Sequence, residues 1–323
     1  MKRTFAFFAG CIFLGFGCSK NVDSEVNPLP EDVVTSFGSA RQCASHEVLE
    51  EQLRQDPARA ARMQEIERVI ENEMRNPTAG RLVNGVYEIP VVVNVLYKTA
   101  AQNISQAQIQ SQIDVLNKDF SATNTDYNNA PAEFAPLRSG NTNIRFVLVG
   151  VVRKATNKSS WMTNDAMKKS SQGGISPTNP TTTLNMWSCN MSGGILGYAQ
   201  FPGGSSATDG VVCDDNAFGI TSGVYGAGRT ATHEVGHWLN LRHIWGDATC
   251  GNDQVNDTPV AQTSNGGCPT YPKVSSCSGK AEMTMNYMDY TYDACMYMFT
   301  IGQKDRMTAT FAVGGGRNTF AQP

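Results

Sequence analysis

The spacing of apolar and polar positions divides the chain into stretches of different period. Thr4–Gly17 is an apolar run behind the basic Lys2-Arg3, too short to span a bilayer comfortably. It reads as an export signal over residues 1–17. A polar, proline-containing tether follows to about Gly38. Across residues 44–75, Leu49, Leu53, Met63, Ile66, Ile70 and Met74 recur at three- and four-residue spacings with a break at Asp56-Pro57. That pattern predicts two amphipathic helices, the second opened by proline. Asn76-Pro77-Thr78-Ala79-Gly80 is a breaker cluster and marks a linker. The period then shortens. Tyr87–Tyr97 and Ile144–Val152 predict strands, as do the shorter runs Thr183–Ser188 and Gly210–Cys213. Between the first two, Ile109, Ile113, Leu116 and Phe120 share one face of a helix that Ser105 can cap. Strand, helix, strand, strand is the order of a mixed α/β sheet. From Gly246 the chain reads as loops until Thr300-Ile-Gly-Gln303, a capping box, opens a last helix to about Phe311.

Composition changes this picture only locally. A net charge of -3 over 323 residues gives no reason to expect a nucleic-acid partner. Gly17-Cys18-Ser19 resembles a bacterial lipoprotein signal, with Cys18 as the lipidated residue and Gly15 where leucine is expected. The alternative is a plain secretion signal, and any membrane contact rests on that lipid anchor alone. Six of the nine cysteines lie between Cys189 and Cys295, an even number that suggests disulfides in an exported protein. For the four at Cys250, Cys268, Cys277 and Cys295, spacing leaves three pairings open.

The chemistry lies in Thr232-His-Glu-Val-Gly-His-Trp-Leu-Asn-Leu-Arg-His243. His233 and His237 are one helical turn apart on the same face and can hold one Zn²⁺ at roughly 2.0–2.1 Å per nitrogen. Glu234 points elsewhere yet can reach a water at the metal, the position of a general base. A continuous helix would carry His243 away from that metal, so the chain must turn. The long zincin motif has glycine where this chain has Asn240, and asparagine tolerates the left-handed conformation such a turn needs. His-Glu-x-x-His also occurs by chance on solvated helix faces. The third histidine argues against that, and so does the inventory: of four histidines, all but His46 belong to the motif.

Three histidines followed by a methionine turn at Asn286-Tyr-Met-Asp-Tyr290 resemble the metzincin metallopeptidases. Gly228-Arg-Thr-Ala-Thr232, His243-Ile-Trp-Gly-Asp247, Gly197–Gly204 and Asp293–Thr300 are similar to the pappalysin family within that clan. The resemblance covers about residues 83–312. It implies an α/β (α+β) catalytic domain with a twisted mixed sheet and helices in an upper half and an irregular, disulfide-braced lower half. It implies Met288 as a floor beneath the metal and Tyr290 as a donor to the developing oxyanion, against the alternative of a core tyrosine. It implies the disulfides Cys250–Cys277 and Cys268–Cys295. Cys189 and Cys213 stay unassigned. An extended substrate would pair with the edge at Gly197 and Ala199. Asp253, Asp257 and Thr258 are candidate Ca²⁺ ligands, or else an Asx-rich turn. Asp293 either selects Arg or Lys after the scissile bond or caps a turn.

The expected organisation is therefore a signal peptide (1–17), a tether and helical propeptide (18–80) and a zinc metallopeptidase domain (81–323). Cys43, in Arg41-Gln-Cys-Ala-Ser-His46, could block the metal with its thiolate and make the propeptide an inhibitor; an incidental cysteine is the alternative. Arg75 and Arg81 are basic points at which maturation could cut. The expected activity is endopeptidase, on protein or peptide substrates. The competing readings are a catalytically silent zinc-stabilised binding module and a zinc amidohydrolase acting on non-peptide amides.

Overall fold

The computed structural model describes Met1, residues 41–77 and residues 85–320. The export signal beyond Met1, the lipidation point Cys18, the tether and the cut point Arg81 lie outside the described residues.

Two helices come first, α1 (Ser45–Gln55) and α2 (Ala58–Arg75), with Pro57 as the N-cap of α2. The sheet contains β1 (Tyr87–Tyr97), β2 (Ile144–Ala155), β3 (Leu184–Cys189), β4 (Gly197–Ala199) and β5 (Val211–Asp214), in the order β2-β1-β3-β5-β4. All pairs are parallel except β4 with β5. The interior strand β1 carries a continuous Val91-Val92-Val93 run because both faces of the sheet are covered. On one face Val91, Val93 and Val95 meet α3 (Gln106–Ser121) and α4 (Arg229–Trp238). Ile109, Ile113, Leu116 and Phe120 of α3 are all buried there, each contributing about 1.5–3 kcal/mol. On the other face Leu96, Trp187, Tyr198 and Val212 pack with Ala44 and Val48 from the start of the chain.

Local signals terminate these elements. Ser105 accepts from the backbone of Gln108 at the start of α3, and Ala122 closes its end in the left-handed region. The Thr300 and Gln303 capping box opens α5 (Ile301–Ala309), which stops at Ala309, two residues before the expected Phe311. The lower half after Asn240 is mostly irregular around a small core of Ile244, Met283, Met285 and Met298. Disulfides Cys250–Cys277 and Cys268–Cys295 brace it. Cys189 and Cys213 are buried free thiols. Among the described residues no helix is long and apolar enough to cross a membrane.

Candidate active site

Helix α4 is buried from end to end. Its Gly236 has a packing reason: a Cβ there would stand 2.5 Å from Met288 Sδ, so the methionine lies directly against the helix. After Trp238 the chain closes with Leu241 N–H donating to Gly236 O at 2.9 Å, and Asn240 takes φ 70°. This is the left-handed turn asparagine can supply, and it brings His243 back towards α4. His237 Nε2 lies 3.1 Å from His233 Nε2 and 3.0 Å from His243 Nε2.

Each Nδ1 faces an acceptor: Tyr287 O at 2.7 Å for His233, Leu241 O at 2.8 Å for His237, and the Asp247 carboxylate for His243. The three Nε2 lone pairs therefore converge. Burial, then His237 and His243, push the His233 pKa down; burial and His243 take His237 to about 3. Neutral imidazoles with converging lone pairs repel one another unless a cation lies between them. A tetrahedral zinc would space its nitrogens about 3.3 Å apart, so the donor set fits. Cys43 Sγ completes it, all four donor atoms lying within 4.8 Å of one another. No other group of three or more His, Cys, Asp or Glu among the described residues could hold a metal ion.

Glu234 lies beside this cluster. Its Oε2 accepts from Ser45 Oγ at 2.8 Å and lies 3.4 Å from Cys43 Sγ, and burial pushes its pKa up to about 7. Ser45 Oγ in turn accepts from Ala199 N at 2.8 Å, linking Glu234 to the sheet edge. Gly197 allows the approach: a Cβ there would come within 3.1 Å of Glu234 Oε1 and 2.8 Å of Val212 O. The edge itself is occupied. Residues 42–44 lie along β4 in parallel, through Leu196 N to Gln42 O at 2.9 Å and Ala44 N to Gly197 O at 3.0 Å. Tyr290 O–H donates to Cys43 O at 3.1 Å, and its ring meets those of His243 and Trp245.

Asp293 is buried and has two duties. One oxygen, Oδ2, accepts from Ala227 N and Arg229 N at 2.9 and 3.1 Å, capping the start of α4. The other, Oδ1, meets the guanidinium of Arg41. Arg41 also donates to Thr230 Oγ1 at 2.9 Å and lies 5.0 Å over the Tyr225 ring. Asp293 thus caps the start of α4 with one oxygen and faces a basic side chain of this same chain with the other.

The comparisons with known proteins agree with this geometry. Residues 191–312 match the family model described as pregnancy-associated plasma protein-A. An extracellular metalloprotease of Verticillium alfalfae is 32% identical over 241 residues, 69% of this chain and 78% of the relative. The chain belongs to the pappalysin family of zinc metalloendopeptidases. Among solved pappalysin structures it is similar to a promirolysin mutant of Tannerella forsythia, at 41% identity and TM-score 0.77, covering 88% of this chain and all of that one. It is also similar to mature mirolysin of the same organism in complex with a cleaved peptide, at 43% identity and TM-score 0.69, covering 76% of this chain and all of that one.

Within this pappalysin domain the calcium candidates face internal donors. Asp253 accepts from Val255 N and Thr258 Oγ1, and Asp257 accepts from Thr300 Oγ1 and Gly302 N at the start of α5. Sequence reasoning missed several residues. Arg41, Ser45 and His46 were passed over beside Cys43, although Arg41 is a basic residue two positions before a candidate metal-blocking thiol. Glu67 of α2 makes a two-pronged pair with Arg306 of α5 at 2.6 Å, and Arg306 holds Asn240 O at 2.9 Å. No local signal marks that pair.

Proposed function

We propose that the mature chain cuts peptide bonds that precede arginine or lysine, and that residues 18–80 are a propeptide holding it latent. The observation that carries this is the run Arg41–Cys43–Ser45, which meets Asp293, the three histidines and Glu234 in turn. His233, His237 and His243 would hold the zinc. When bound, zinc supplies a Lewis acid that acidifies water and polarises the scissile carbonyl. Cys43 would take the position a water must enter, and soft sulfur suits zinc.

With the propeptide gone, Glu234 loses Ser45 and takes a proton from the attacking water. The same carboxyl group would then pass that proton to the leaving amine. Tyr290 O–H, freed from Cys43 O, donates to the developing oxyanion. A substrate strand replaces residues 42–44 on the Gly197–Ala199 edge, and its basic side chain replaces Arg41 against Asp293. Export by residues 1–17 accords with the relatives named extracellular metalloproteases, and Cys18 would supply a lipid anchor.

A mass-spectrometric digest of a mixed peptide library tests this, run with matured enzyme, with a zinc chelator and with Glu234→Ala. Cuts confined to untreated wild type and placed before basic residues are expected. No cuts from folded, zinc-loaded, propeptide-free protein would overturn the peptidase mechanism.

A further inference from the structure

The three histidines differ in what stands behind them. His233 and His237 back onto neutral backbone carbonyls, whereas His243 backs onto the Asp247 carboxylate. The turn that brings Asp247 there consists of two consecutive left-handed residues, Gly246 at φ 63° and Asp247 at φ 57°. The first must be glycine, since a Cβ would stand 2.2 Å from Asn252 N. The second is an aspartate in the left-handed region, which few residues other than glycine, asparagine and aspartate adopt. Trp245, in the same turn, stacks on the His243 ring at 4.3 Å and 9°. The turn therefore fixes the plane of the ring with one side chain and the tautomer with another. Asp247 Oδ2 is also approached from the propeptide, by His46 Nδ1 at 3.6 Å.

We propose that Asp247 is a positioning residue for His243, holding Nδ1 protonated and Nε2 aimed at the metal. As an anion it would hold the ring's Nδ1–H, and with it the ring's orientation, more firmly than a carbonyl partner does. A carboxylate behind a metal-bound histidine typically changes metal affinity 10- to 100-fold when removed. The inference rests on His243 being a zinc ligand.

The test uses the full-length chain carrying Glu234→Gln, so that it cannot process itself, loaded with zinc and then with cobalt(II). Zinc loss to a competing chelator and the visible spectrum of the cobalt form are compared for Asp247, Asp247→Asn and Asp247→Ala, with His243→Ala as reference. Thermal unfolding of the zinc-free forms is measured alongside. Asp247→Ala is expected to weaken zinc 10- to 100-fold. Asp247→Asn keeps an acceptor and loses the charge, so it should regain the zinc-free melting temperature yet still bind zinc less tightly and shift the cobalt bands. A purely structural aspartate predicts instead that Asp247→Asn restores zinc affinity and spectrum together with stability, and that result overturns the proposal. Unchanged zinc retention in both variants overturns it too. If His243→Ala holds zinc as its parent does, the ligand assignment itself has failed and the proposal falls with it.

Discussion

Among the described residues the Glu234 side chain bonds only to Ser45 and Cys43, so replacing it should leave the rest of the fold untouched. Glu234→Ala is expected to lower kcat by about 10²–10⁴-fold, the usual span for a lost general base, with zinc content by metal analysis unchanged. Asp293 is more exposed to side effects because Oδ2 caps α4. Asp293→Asn keeps one acceptor for the cap while removing the charge, and should cut kcat/KM for cleavage before arginine by about 10–100-fold. Peptides with an apolar residue at that position should be affected far less, and equal losses on both would contradict a charge-selecting pocket. The histidine cluster was legible in the sequence because its spacing is itself the signal: His233 and His237 stand one helical turn apart, and Asn240, which takes φ 70°, tolerates the turn that brings His243 back. Arg41 was legible only as a basic residue beside a candidate metal-blocking thiol; its pairing was not, since its carboxylate partner stands 252 positions away.

Elements with a long period showed their bounds best. β1 was read from Tyr87 to Tyr97 as found, and α3 within a residue at each end, because many alternating or turn-spaced positions agree. β4 is three residues, Gly-Tyr-Ala, too short to carry a period; only family resemblance placed it. How α2 docks was equally hidden, because the pair that holds it, Glu67 with Arg306, joins distant elements. Burial alone would raise the Glu67 pKa, but the Arg306 guanidinium outweighs it and holds it below its ordinary value. The sign follows: this contribution to docking is full above the free glutamate value of about 4.3 and is lost as pH falls through the depressed value. Hydrogen exchange on the Glu234→Ala zymogen should show α2 loosening below about pH 4, and Glu67→Gln should flatten that dependence. At neutral pH Glu67→Ala is expected to weaken docking by about 1.5–3 kcal/mol, since it leaves a buried guanidinium short of its anion.

At the scale of the whole molecule, the irregular lower half depends on covalent closure more than on a large core. Each disulfide joins residues with a sequence separation of 27, a loop worth about 3.5 kcal/mol by chain entropy. Cys250→Ala with Cys277→Ala should therefore lower the melting temperature while the sheet and α4 persist by circular dichroism. The latency proposed above belongs to the assembled chain as well. Cys43→Ala should give unprocessed protein that binds zinc and turns over a short peptide faster than the wild-type precursor, though slower than matured enzyme, because Arg41 and the β4 pairing remain.

That pairing is parallel, and its direction matters. A peptide cut before arginine presents the carbonyl under attack one residue ahead of its basic side chain. In residues 41–45 the order runs the other way: Arg41 enters the pocket first, and Cys43, the residue at the metal, follows two positions later. The segment thus meets every recognition point while its amides face backwards along the cleft. On the proposed function, a stretch bound in this direction would resist cleavage by the site it fills. On that same proposal, release would then start with a cut outside residues 41–45, and a trace of matured enzyme added to the full-length chain should shorten the lag before activity appears.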